Sequence, residues 1–128
     1  MRTALCHCGQ LRVHCDGEPV RVSICHCLLC QRRTGSAFGV QARFPKEQVR
    51  WEGRTQQYAR TGDTGATVTL NFCPDCGSAV FWELLPEFYS VAVGAFADPQ
   101  FPPPTVAVYE ERKHPWALTP EGQIKERI

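Results

Sequence analysis

Three short cysteine turns constrain this chain more than any other feature. They are Cys6-His7-Cys8-Gly9, Cys25-His26-Cys27-Leu28-Leu29-Cys30 and Cys73-Pro74-Asp75-Cys76-Gly77. Thiols at such spacing, followed by turn residues, match the requirements of a soft divalent cation, and zinc is the expected metal. Pro74 fixes φ and Gly77 permits the bend that aims Cys73 and Cys76 at one point. Cys6 and Cys8 also close on a glycine. The two glycine-closed pairs together supply four thiolates, a complete tetrahedron with no position left over, which is the mark of a structural site. Such a site adds folding free energy that a small core lacks.

That pairing leaves Cys25, Cys27 and Cys30 with one coordination position unfilled. Three protein ligands plus an open position characterise a catalytic or substrate-binding zinc. Three thiolates around Zn²⁺ leave a net negative charge, and an incoming thiol would complete the tetrahedron as thiolate. The second zinc is accordingly expected to be the more labile. Cys15 offers an alternative fourth ligand, but it shares a strand face with Leu11 and Val13, which favours a buried free thiol. His7 and His26 alternate with cysteines and project away from them if the chain there is extended, so both are read as surface or hydrogen-bonding residues before ligands. His14 and His114 read as solvated. Arg32 and Arg33 follow the second turn directly. They read either as charges on a solvated helix end or as carboxylate-binding groups beside the metal, since a guanidinium grips a carboxylate with two parallel bonds.

Disulfides are the rival use of eight cysteines. Cysteines one residue apart do not bridge each other easily, and Met1 to Cys6 lacks the apolar core of an export signal, so a reducing, cytoplasmic setting is the expectation. The formal charge of +1 argues against nucleic acid or an anionic membrane as partner. No apolar run approaches the length of a membrane span.

The 128 residues, 43% of them hydrophobic, suit one domain spanning 1–128, with its core about 4–117. Period-two alternation predicts strands at Leu11–Cys15 and Val20–Ile24, read as a hairpin about Gly17-Glu18-Pro19. Further strands are expected at Ala37–Phe44, Arg50–Glu52, Arg54–Arg60, Ala66–Phe72, Ser78–Trp82, Phe88–Val93 and Val106–Tyr109. The connections are a turn at Pro45–Val49, a loop at 61–65 and the proline-stiffened Asp98–Pro104. Gln31–Gly35 reads as one helical turn ending at glycine. Trp116 is expected to anchor the charged C-terminal stretch. Phe38, Phe72, Phe81, Trp82 and Phe88 are core residues first and a substrate wall second. The fold class is all-β: small antiparallel sheets with zinc-bearing turns and little helix.

Taken together, Cys-x-Cys-Gly, then Cys-His-Cys-x-x-Cys-Gln-Arg-x-x-Gly, then Phe-Cys-x-x-Cys-Gly-Ser resemble the glutathione-dependent formaldehyde-activating enzyme family, which includes centromere protein V-type domains. Order and spacing of all three motifs agree. The resemblance implies an all-β tent of sheets with two zinc sites. By position, Cys6, Cys8, Cys73 and Cys76 are similar to the structural ligands, and Cys25, Cys27 and Cys30 to the substrate-associated ones. It further implies a carbon–sulfur lyase joining glutathione to formaldehyde as S-hydroxymethylglutathione, with a glutathione-like thiol and an aldehyde as small-molecule partners. Two other classes remain at this level. A zinc-ribbon-like interaction module is disfavoured by the absent basic stripe. A redox sensor would use oxidation of the second cluster to expel its metal. Oligomeric state is not legible in the sequence.

Overall fold

The computed structural model describes residues 1–62 and 64–128; Asp63, within the loop expected at 61–65, lies outside the described residues. The chain is mostly strand. Its elements are β1 (Arg2–Leu5), β2 (Arg12–Cys15), β3 (Arg21–Cys25), α1 (Leu28–Thr34), β4 (Gly39–Pro45), β5 (Val49–Glu52), β6 (Gln56–Thr61), β7 (Thr67–Phe72), β8 (Ala79–Glu83), β9 (Phe88–Ala92), β10 (Val106–Val108) and β11 (Glu126–Arg127). They form a three-stranded sheet in the order β1-β2-β5 and an eight-stranded sheet in the order β11-β10-β3-β4-β9-β8-β7-β6. No helix is long and apolar enough to cross a membrane.

The two sheets share one core. Leu11, Val13 and Cys15 enter it from the small sheet, while Val22, Ala42, Phe44, Val80, Phe81 and Val91 enter from the large one. Phe44 and Phe81 are fully buried, and truncating either to alanine would cost about 3–5 kcal/mol through lost contact and the cavity left behind. Thr105 to Val108 follows the proline-stiffened segment into the sheet, where β10 runs parallel to β3. A parallel neighbour needs a long crossover, so local patterning does not reveal it.

The expected hairpin of Leu11–Cys15 with Val20–Ile24 does not form. β2 is already flanked by β1 and β5, and β3 by β4 and β10. The connection instead crosses between layers, fixed by the Asp16 N–H donating to the Gln48 carbonyl at 2.8 Å and the Val20 N–H to the Arg43 carbonyl at 2.8 Å. The apolar faces of the two strands therefore meet across the core rather than lying side by side. The same applies to β5 and β6, which lie in different sheets. Trp116 is not an anchor: it is 69% exposed, and its neighbour Ala117 is the buried residue.

Candidate metal centres and thiol site

Cys6, Cys8, Cys73 and Cys76 converge, their sulfurs all within 4.8 Å of one another. Two turns of the same design bring them there. In the first, the Cys6 N–H donates to the Leu11 carbonyl at 3.1 Å and the Gly9 N–H to the Cys6 carbonyl at 3.1 Å. In the second, the Cys73 N–H donates to Ser78 O at 2.9 Å and the Gly77 N–H to Cys73 O at 2.8 Å. Gly9 and Gly77 take φ of 84° and 80°, a left-handed bend that disfavours any residue with a Cβ. Cys6 Sγ lies 3.6 Å from Cys8 Sγ, and Cys8 Sγ lies 3.7 Å from Cys73 Sγ. A zinc–sulfur bond of about 2.3 Å requires sulfurs about 3.8 Å apart in a tetrahedron, so the donor set fits that ion.

Sequence patterning missed two residues that tie these turns together. Gln10 Nε2 donates to Cys73 Sγ at 3.0 Å and to the Arg54 carbonyl at 2.8 Å. Ser78 Oγ accepts the His7 N–H at 3.1 Å and lies 3.4 Å from Cys76 Sγ. The Ser78 hydroxyl and backbone bring the Cys76 thiol down to about 5. Further N–H···S bonds come from Leu11 to Cys6 at 3.3 Å and from Asp75 to Cys73 at 3.4 Å. Such donors disperse thiolate charge and fix the sulfurs' directions. A polar residue beside a metal turn was the only available signal for either, and it does not specify a partner.

Cys25, Cys27 and Cys30 form the second group, again with sulfurs within 4.8 Å. Among the described residues no fourth cysteine, histidine or carboxylate joins them. Cys15 lies elsewhere, fully buried in the shared core. Cys25 ends β3, opposite Gly39 of β4. Cys27 caps α1, its Sγ accepting the Cys30 N–H at 3.3 Å. The helix is therefore longer than the turn expected at Gln31–Gly35, because a cysteine serves as its N-cap; Gly35 ends it as expected. Hydrogen bonds from the Cys25 and Cys30 thiols, with help from backbone N–H groups, bring Cys27 down to about 2. The same neighbours and burial drive Cys25 upward.

His26 is buried, 1% exposed, with its backbone N–H bonded to Val108 O at 2.9 Å and its ring set edge-on to Phe38. It is not a surface residue, and its sulfur neighbours form their cluster without it. Gln31 holds this region in place: its Nε2 donates to the His26 carbonyl at 2.9 Å and the Arg112 carbonyl at 3.2 Å.

Arg32 and Arg33 part company. Arg33 stacks over Trp82, guanidinium carbon 4.0 Å from the ring centroid, beside Cys30 and Gly39. Its Nη2 is buried and has no hydrogen-bond partner among the described residues. Arg32 lines a different place, an open groove of about 610 Å³ with Leu28, His114 and Trp116. Helical spacing of about 100° per residue explains the split, since consecutive residues cannot share a face. Of the aromatics, Phe81 and Trp82 are buried, while Phe38, Phe72 and Phe88 are half-buried.

A model of the glutathione-dependent formaldehyde-activating enzyme family matches residues 1–112. A protein of Colletotrichum graminicola named for glutathione-dependent formaldehyde activation is 32% identical over 78 residues, 54% of this chain. This chain covers only 40% of that relative's length. A crystal structure of a Rhodobacter sphaeroides protein superposes with a TM-score of 0.55 at 23% identity, covering 73% of this chain and 85% of the other, a likeness of fold.

Proposed function

This chain belongs to the glutathione-dependent formaldehyde-activating enzyme family, and from that membership we propose that it is a zinc-dependent enzyme joining a small thiol of the glutathione class to an aldehyde. The reaction type is that of S-(hydroxymethyl)glutathione synthase, grouped with carbon–sulfur lyases. The observation that carries this reading is the convergence of Cys25, Cys27 and Cys30 without a fourth protein ligand among the described residues. Cys6, Cys8, Cys73 and Cys76 would hold a structural zinc, and Cys25, Cys27 and Cys30 a second, exchangeable one. Zinc bound at the second group supplies Lewis acidity that keeps an incoming sulfur ionised at neutral pH.

The chain's own residues do the rest. Cys25, Cys27 and Cys30 are held by a strand end and a helix cap, so they set where the substrate sulfur sits. Arg33, with a buried N–H left free and its ring partner Trp82 behind it, is placed to bind a substrate carboxylate and orient the thiol. Arg32 instead lines the groove with Leu28, His114 and Trp116, so we assign the carboxylate role to Arg33. In the bond-forming step the sulfur lone pair attacks the aldehyde carbon. The carbonyl π pair moves to oxygen, and that oxygen takes a proton, from water or from the thiol's own released proton. Nothing is oxidised or reduced.

Two measurements test this together: zinc content with and without glutathione, and the rate at which isotopically labelled formaldehyde enters the glutathione adduct by NMR. Faster adduct formation that is lost in Cys27→Ser supports the reading. Two tightly held zincs that glutathione does not perturb, with no rate above buffer, would sink it.

A further inference from the structure

The face of the eight-stranded sheet opposite the shared core carries basic groups that the function above leaves unused. Along β3 and β4 the register sets Cys25 opposite Gly39, Ser23 opposite Gln41 and Arg21 opposite Arg43. The intervening residues Val22, Ala42 and Phe44 point into the core. Side chains alternate across a strand, so Arg21, Gln41 and Arg43 project to the opposite face, which is the face of Cys25. Arg33 lies over this face too, since Trp82 pairs with Ser90 and Ser90 with Arg43.

Neither Arg21 nor Arg43 forms an ion pair with a carboxylate among the described residues. Arg21 Nε is buried without a hydrogen-bond partner, and so are Gln41 Oε1 and Arg33 Nη2. Arg43 packs with its guanidinium carbon 5.4 Å from the Phe88 ring centroid. Its charged form is disfavoured first by burial and then by the neighbouring Arg21. Two cations held side by side, with an orphaned buried donor between strands, are costly unless an anion joins them. Solvated arginines on a free surface would show neither feature.

We propose that Arg21 and Arg43 form a second anion subsite, which holds the carboxylate of the thiol substrate that Arg33 does not reach. Arg33 takes one carboxylate, the Arg21–Arg43 pair takes the other, and Gln41 Oε1 accepts an amide N–H between them. Length fits this assignment. At about 3.3 Å per residue, Arg21 stands about 13 Å along the strand from Cys25. The sulfur sits on the middle residue of a glutathione-like peptide, so each terminal carboxylate extends about 7 Å from it along the chain, and the arginine side chains reach across the remainder. This proposal rests on the thiol function above and adds the residues that hold the second carboxylate.

Calorimetric titration of the zinc-loaded full chain separates the two. The probes are glutathione, its diethyl ester and 2-mercaptoethanol. Wild type is expected to bind glutathione about tenfold or more tighter than the diester, as charge-assisted bonds to a desolvated guanidinium imply. Arg43→Gln and Arg21→Gln should each erase the part of that advantage owed to the second carboxylate and leave 2-mercaptoethanol binding unchanged. Arg43→Lys, which keeps the charge, should restore part of it and carries the test if the glutamine variant does not fold. Should both glutamine variants keep the full advantage of glutathione while 2-mercaptoethanol still binds, the subsite is overturned and the thiol function stands. Should no thiol bind wild type, the thiol function falls and the subsite with it.

Discussion

Gly39 lies directly beneath Arg33: a Cβ placed on Gly39 would stand 2.5 Å from Arg33 Nη2 and 3.4 Å from Cys30 Cβ. The guanidinium is thus seated between bare backbone and the Trp82 ring, 4.0 Å from its centroid. Glycine is needed here for space and not for backbone conformation, since Gly39 is not among the glycines with positive φ. Gly39→Ala is therefore expected to fold while forcing Arg33 off its seat. Affinity for a carboxylate-bearing thiol should drop about tenfold, with uncharged thiols unaffected. Unchanged glutathione binding by calorimetry would remove Arg33 from the site.

The two cysteine groups should differ in what they support. Cys76→Ser breaks a four-thiolate site that joins the start of the chain to the β7–β8 connection. Structural zinc contributes about 10 kcal/mol or more, comparable with the whole stability of a domain, so this variant should not fold stably. Cys27→Ser should remain folded and lose at most one zinc. Elemental analysis with thermal unfolding decides it; equal damage from both substitutions would refute the division into a structural and a functional site.

Ser78 bridges the two structural turns, accepting the His7 N–H and contacting Cys76. Ser78→Ala should weaken metal retention at that site by about tenfold or more, as losses around metal ligands commonly do. Competition with a chromophoric chelator reads this directly. The second metal should leave at the wild-type rate, and an equal acceleration of both would mean a global effect.

Cys15 gives a pH signature independent of the metal sites. Burial, with the Asp16 carboxylate adding to it, pushes its thiol up to about 12. The folded protein holds this proton more tightly than the unfolded chain, whose thiol ionises near 8.5. The contribution is complete below about pH 8.5 and declines as pH rises toward 12, by up to about 5 kcal/mol. Urea unfolding of wild type should show this alkaline decline, and Cys15→Ala should show a shallower one despite its lower starting stability. Parallel slopes would contradict it.

Much of the candidate site was legible because cysteine spacing acts over a few bonds. A one- or two-residue gap with a following glycine fixes how two thiols point, whatever surrounds them. The pairing of Cys6/Cys8 with Cys73/Cys76, the exclusion of Cys15 and the glycine end of α1 all follow from such local rules, and the structure brings these residues together as expected. Period-two alternation likewise placed most strands. It did not say which strand lies beside which, and the hairpin read into Leu11–Ile24 failed for that reason. Alternation reports that a strand has one buried face; both an antiparallel neighbour and an opposing sheet satisfy it.

The sequence by itself determined an all-β chain with seven cysteines grouped as four and three, and the sulfurs of each group lie within 4.8 Å of one another. The tertiary structure alone decided what surrounds the group of three. It turned Arg32 away and Arg33 inward, buried His26, and set Arg21, Gln41 and Arg43 on the same sheet face as Cys25. The physical reason is range. Turn geometry is fixed by dihedral preferences within a few residues, whereas a shared face arises from register between strands far apart in the chain, set by the packing of the whole core.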